Sequence, residues 1–206
     1  MINIQTDFSP TENGLPFENH FPLRMLRMPL KFHLPLGTAV DANAVVDGLS
    51  AGMCFTALDY FYAGSQPPLE TQADKIDSRL RTYLFERQLD ALKIENVLKI
   101  LQWMLLEPKA ARTKITRYEI PKLRRALDKG SPQVLVLLRK KQAEAASSNQ
   151  TVIASGYQWD AENKELQLQI YDPNQPNEPG WLRVNRRTAA SGFAITASNA
   201  TAISAF

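Results

Sequence analysis

Between Ser50 and Tyr62 the apolar residues Phe55, Leu58 and Tyr62 recur at helical spacing, with Ala51 and Cys54 beside them. The pattern predicts a helix that ends at "AGSQPP". A second helical pattern runs from about Asp74 to Leu89, with Ile76, Leu80, Tyr83 and Leu84 on one side. A third runs from about Lys93 to Leu106. Its stripe is Ile94, Val97, Leu98, Leu101, Met104 and Leu105, and Pro108 stops it. A short fourth helix, about Glu119 to Asp128, closes at Gly130, a residue suited to the left-handed position after a helix.

The character of the chain then changes. "QVLVLLR", "TVIASGYQW", "ELQLQIYD" and "GFAITAS" read as strands, and "DAENKE" fits a hairpin loop between the second and third. Helices followed by an antiparallel sheet make an α+β fold. The first forty-odd residues, with Pro10, Gly14, Pro16, Pro22, Pro29, Pro35 and Gly37, read as an extended, largely irregular arm lying on the rest. The expected organisation is one domain over residues 1–206. It divides into an arm (1–45), a mainly helical part (46–130) and a mainly stranded part (131–206). "KQAEAASSN", Lys141 to Asn149, reads as a polar connection, and no internal repeat is evident.

Composition narrows the function classes. A chain of 206 residues with 44% hydrophobic and 22% charged residues is long enough and apolar enough for one substantial core. A net charge of +3 does not by itself point to nucleic acid. One cysteine excludes an internal disulfide framework and a Cys-rich zinc site, and two histidines give little basis for a His-based metal centre. No metal or other cofactor is expected. The polar N-terminus "MINIQTDFSPTENG" carries no apolar signal core, and no segment is apolar enough to span a bilayer. The expectation is therefore a cytoplasmic protein with no membrane partner, although a non-standard secretion route would leave no trace.

Candidate chemistry concentrates in "GLSAGMCFTALDYF", Gly48 to Phe61. The first N–H groups of a helix are unpaired, and its dipole favours negative charge there. A thiolate is stabilised at such a point, and the N–H groups can hold an oxyanion. A nucleophile still needs a base, which in an α+β thiol hydrolase is a strand histidine oriented by an Asp or Asn on the next strand.

The stretch resembles the nucleophile helix of a bacterial branch of the papain-like cysteine peptidase superfamily, where the pattern is Gly-Leu-Cys-Gly-Gly-Met followed by Phe and Ala-Leu-Asp-Tyr. "NQTVIASGY", Asn149 to Tyr157, resembles that branch's Asn-His-Gln-Val-Leu-Ala-Tyr-Gly-Tyr strand, which carries the catalytic histidine. "IYDPNQP", Ile170 to Pro176, matches its Tyr-Asp-Pro-Asn motif, which carries the orienting acid. "GLPFENHF" and "LRRALDKGSPQVLVLL" also resemble segments of that branch, so the resemblance covers most of the chain.

The departures fall on the chemistry. In this register the nucleophile position holds Ser50 and the histidine position holds Gln150. Only the acid position, Asp172, and its neighbour Asn174 keep the family's residues. A serine without a base is a weak nucleophile, and glutamine takes no proton at useful pH. The resemblance therefore implies a papain-like fold with a degenerate triad at Ser50, Gln150 and Asp172. The function implied is non-catalytic binding of a peptide, a protein or another ligand in the cleft between helices and sheet.

Plainer roles stand beside these. Ser50 can cap its helix, Cys54 can be a small buried hydrophobe, and Asp172 can fix the turn after its strand. Two other functions compete with binding in the cleft. One is a hydrolase using Ser50 with an unrecognised base, or Cys54 with His20 or His33. The other is an anion-binding module on the basic segment 109–141, which carries Lys109, Arg112, Lys114, Arg117, Lys122, Arg124, Arg125, Lys129, Arg139, Lys140 and Lys141. A solvated helix face explains that segment better, since interleaved aromatic residues are nearly absent.

Overall fold

The computed structural model describes residues 1–21, 31–33, 39–41, 49–91, 93–138, 150–185, 193–196 and 203–205. It has the α+β composition expected. The strands are β1 (Ile2–Gln5), β2 (Lys31–His33), β3 (Ala39–Asp41), β4 (Gln133–Leu137), β5 (Gln150–Asp160), β6 (Glu165–Tyr171), β7 (Gly180–Asn185), β8 (Phe193–Thr196) and β9 (Ile203–Ala205). The helices are α1 (Pro10–Asn13), α2 (Ser50–Tyr62), α3 (Ser78–Ala91), α4 (Ile94–Met104), α5 (Pro108–Lys114) and α6 (Ile120–Leu127). A π-helical turn, Ile115–Glu119, joins α5 to α6.

Local signals set several boundaries. Gly64 and Gly130 have φ of +63° and +75°, which a residue without Cβ adopts freely. Each closes its helix with two bonds, Gly64 N–H to Phe61 O and Ser65 N–H to Tyr60 O, then Gly130 N–H to Leu127 O and Ser131 N–H to Ala126 O. α3 begins four residues later than its apolar pattern suggests. The cause is Asp77, whose Oδ1 accepts from Leu80 N–H at 2.8 Å and caps the helix there. The basic stretch before residue 119 is helical as well, as α5 and the π turn.

Seven strands form one antiparallel sheet in the order β1–β5–β6–β7–β8–β9, with β4 also on β5. β5 is long enough to serve two partners end to end. β4 pairs with Gln150 to Ala154, and β1 with Gly156 to Trp159. A bulge between Ala154 and Gly156 separates the two halves and keeps Ala154 and Tyr157 in one apolar cluster with Leu127 of α6. β2 and β3 form a separate hairpin.

The arm is more ordered than its composition suggests. It supplies β1, and Phe8, Leu15 and Phe17 are fully buried. With Met53 and Cys54 of α2, Leu84 of α3, and Ile153 and Tyr171 of the sheet they form one core; a second core lies between α6 and β4–β7. "KQAEAASSN" and the arm's Pro22, Pro29, Pro35 and Gly37 lie outside the described residues.

Candidate functional site

Ser50 is the first residue of α2 and only 4% exposed. It does not cap the helix: the cap position falls on Leu49, and no side chain of the helix's own start fills that role. Instead, Ser50 Oγ accepts from the backbone N–H of Thr151 at 3.3 Å, tying α2 to the start of β5. One turn along, the Cys54 thiol donates to the carbonyl of the same residue, Thr151, at 3.4 Å. Two side chains at i and i+4 on a helix lie on one face, and here both meet one residue of the strand.

The N–H groups at the helix start are partly occupied from elsewhere. Leu49 N–H donates to Asn19 Oδ1 at 2.9 Å, and Gly52 N–H donates to Gln88 Oε1 at 2.8 Å. Gln88 comes from α3 and is 1% exposed; its Nε2 has no partner among the described residues. The approach depends on Gly52, since a Cβ there would lie 2.2 Å from Leu84 O. Acceptors brought in from the arm and from α3 thus use two donors that an oxyanion site would draw on.

Gln150 opens β5, opposite Leu137 of β4, and is half-buried. Its chain neighbour Thr151 is the residue that meets Ser50. Asp172 follows the last residue of β6, the strand next to β5. Its Oδ1 accepts from Asn174 N–H at 2.8 Å, so the carboxylate does fix the turn. Asn174 Oδ1 in turn accepts from Asn19 Nδ2 at 3.1 Å, and Asn19 N–H donates to Pro173 O at 2.8 Å. Asn19 therefore joins the arm, the helix start and the Asp172 turn. Gln88 and Asn19 are the site residues that the sequence does not single out; Asn19 lies in the quoted stretch "GLPFENHF", and Thr151 stands beside Gln150 in "NQTVIASGY".

Cys54 is 0% exposed. Burial first, and then the charge of Asp172, push its thiol well above the usual range. Burial likewise raises Tyr171, with the hydroxyl bonded to Leu15 O at 3.2 Å. His20 is exposed, and its ring makes no hydrogen bond to the described residues. Of His33 only the backbone, in β2, is described.

The basic segment is not uniformly solvated. The Arg124 guanidinium lies over the rings of Tyr157 and Trp159, 4.9 and 5.4 Å from their centroids, and Lys114 lies 5.7 Å from Trp103. The aromatic partners come from other elements. Lys109, Arg117, Lys122, Arg125 and Lys129 are exposed, while Arg139, Lys140 and Lys141 lie outside the described residues.

Next to the Ser50 contact, a cavity of about 460 Å³ is lined by residues of α2, α4, the π turn, α6 and the strands β4–β7. Ala51 and Thr151, both buried, are among its lining residues. Phe55, Ile100, Trp103, Leu123, Leu168 and Leu182 give it a mainly apolar wall. α4 presents Ile100 and Trp103 here, whereas Leu98 and Leu105 of its apolar stripe are 44% and 85% exposed. The side chains of Ile94, Val97, Leu101 and Met104 lie outside what is described.

Among the described residues no helix is long and apolar enough to cross a membrane, and no cluster of three His, Cys, Asp or Glu could hold a metal ion. No protein-family model, curated protein or solved structure matches the chain.

Proposed function

We propose that this chain is a papain-like domain whose catalytic centre has degenerated and which binds a peptide without cleaving it. Three features support the family reading. Ser50 starts a helix that abuts β5, Gln150 opens that strand, and Asp172 follows the adjacent antiparallel strand. A papain-like nucleophile, histidine and acid would stand in that relation.

The observation that carries the non-catalytic reading is the state of the Ser50 hydroxyl. It is buried and accepts a backbone N–H, and the neighbouring position that would supply a base holds glutamine. Cys54 is no substitute, because its thiol is held protonated by burial. The half-open cavity beside the site gives a ligand somewhere to sit.

The test rebuilds the centre. In a Cys54→Ala background, Ser50→Cys alone is compared with Ser50→Cys plus Gln150→His, using iodoacetamide because position 50 admits only a small reagent. On this reading the new thiol of the double variant gains both the helix start and an imidazole oriented by Asp172. Its alkylation should titrate with a midpoint below about 7.5, against about 8.5 for an ordinary thiol. The single variant has the dipole alone, which contributes only about 0.3–1 kcal/mol. A folded double variant that alkylates no faster at neutral pH than the single variant overturns the assignment of these positions.

A further inference from the structure

In a strand, successive side chains point to opposite faces. Yet all six residues from Gln133 to Leu138 line the cavity beside α4. The lining also takes in Ala51 and Phe55 of α2, which packs on the face of the sheet that carries Ile153, and Leu168 and Leu182, which lie on the opposite face with Val152 and Ala154, so the space reaches round the edge of β4. β4 pairs with β5 on one side, and among the described residues its other side has no strand. The N–H and C=O groups that alternate along that side pair with no described strand, and such an edge is a template for a further strand. Protected edges carry charges or an internal proline. β4 reads QVLVL, and Val136 is 45% exposed.

The far wall of the space is apolar, with Ile100 and Trp103 of α4 and Ile115 of the π turn. Its size, about 460 Å³, falls within the roughly 300–1,000 Å³ of ligand sites. The rim is cationic. Lys99 and Lys122 line it, both are exposed, and neither forms an ion pair among the described residues. Lys114 lies close by on Trp103. Glu119 is the single acidic residue of the lining.

We propose that β4 accepts an added strand. The occupant is an extended peptide segment with apolar residues at alternate positions and acidic residues between them. It hydrogen-bonds to the edge of β4, fills the cavity against Ile100 and Trp103, and places its carboxylates towards Lys99 and Lys122. This rests on reading the protein as a peptide-binding domain, and it adds the mode of binding and the chemistry of the peptide.

The test uses a fluorescein-labelled, capped octapeptide of alternating Glu and Val, followed by anisotropy with the whole chain. Two derivatives are N-methylated, one at the Glu amides and one at the Val amides. Methylation in one register should abolish binding and in the other leave it within about threefold, because an added strand turns only alternate N–H groups towards its neighbour. A Lys–Val peptide should bind at least roughly tenfold more weakly at low salt. The exposed-site double variant Lys99→Glu/Lys122→Glu should weaken the acidic peptide by a similar factor. Equal binding by the parent and both methylated forms overturns strand addition, as does equal binding of the Lys–Val peptide. A change in tryptophan emission on adding dodecanoate that is lost in Trp103→Phe, with no binding of the octapeptide, also overturns it, and makes the cavity a site for small amphipathic molecules. Mass spectrometry of the bound peptide keeps the two readings apart: cleavage would sink the non-catalytic reading and leave strand addition standing.

Discussion

Ser50 and Cys54 sit one turn apart and contact the same strand residue, yet their surroundings fix different chemistry. The hydroxyl needs no proton transfer to do what it does, since it accepts the Thr151 N–H. The thiol is buried among apolar groups near a carboxylate, and both conditions oppose its ionisation. This has a consequence for stability. The folded state keeps the Cys54 proton to higher pH than the unfolded chain does. The stabilisation is therefore complete below the ordinary thiol value of about 8.5 and declines as pH rises above it. One proton contributes a slope of at most about 1.4 kcal/mol per pH unit. Urea unfolding should thus show a lower midpoint at pH 9.5 than at pH 7.5, and Cys54→Ala should shrink that difference. The native thiol should also react with disulfide reagents only on unfolding. An alkaline loss unchanged in Cys54→Ala, or rapid labelling of the native protein at pH 7, contradicts this account.

At the scale of elements, the contact between α2 and α3 depends on one missing side chain. Alanine is about 1 kcal/mol better than glycine inside a helix, so propensity alone favours Gly52→Ala. Packing opposes it. The new Cβ would meet Leu84 O at 2.2 Å, and this neighbour is backbone, which cannot rotate away. Forcing the helices apart would also stretch the bond from Gly52 N–H to Gln88. Overpacking of this kind costs about 1–3 kcal/mol, so Gly52→Ala should be net destabilising in urea. Gly64→Ala makes a useful contrast. No atom lies within 4 Å of a Cβ there, and only the φ of +63° opposes the change. If Gly52→Ala proves stabilising, the close approach of α2 and α3 is wrong.

For the molecule as a whole, the arm is part of the core. Phe8 packs edge-on against Phe61 and Tyr171, with ring centroids 5.4 and 6.4 Å away, and Leu15 and Phe17 are equally buried. Burying each such side chain contributes about 1.5–3 kcal/mol, and the three together about 5–9. That is comparable to the whole stability of a typical domain, about 5–15 kcal/mol. Deleting residues 1–17 also removes β1, which covers half of one side of β5. The truncated chain should lose its cooperative thermal transition and near-ultraviolet circular dichroism and become rapidly digestible. A cooperative transition at an unchanged temperature would show that the arm only rests on the surface.

The sequence by itself determined those features that are written within one turn or one hairpin. α2 runs from Ser50 to Tyr62 as its periodicity and its closing glycine require, Gly130 ends α6, and "DAENKE" joins β5 to β6. The order of helices before sheet followed from the same local signals. Tertiary structure alone decided what those elements do to one another. β1 is four residues, too few for a pattern, and exists through pairing with a strand some 150 positions away. The apolar stripe of α4 was legible, but its direction was not. A helix buries whichever face meets a neighbour: among the described side chains Leu98, and Leu105 just beyond the helix, are exposed, while Ile100 and Trp103, which are not in the stripe, line the cavity. At the site, sequence placed Ser50 at a helix start but not its bond. The partners of the residues around it lie 30, 36 and 101 positions apart, from Leu49 to Asn19, Gly52 to Gln88 and Ser50 to Thr151. A hydrogen bond between distant residues leaves no periodicity in the chain. It is chosen only when packing brings donor and acceptor together and excludes the water that would otherwise satisfy them.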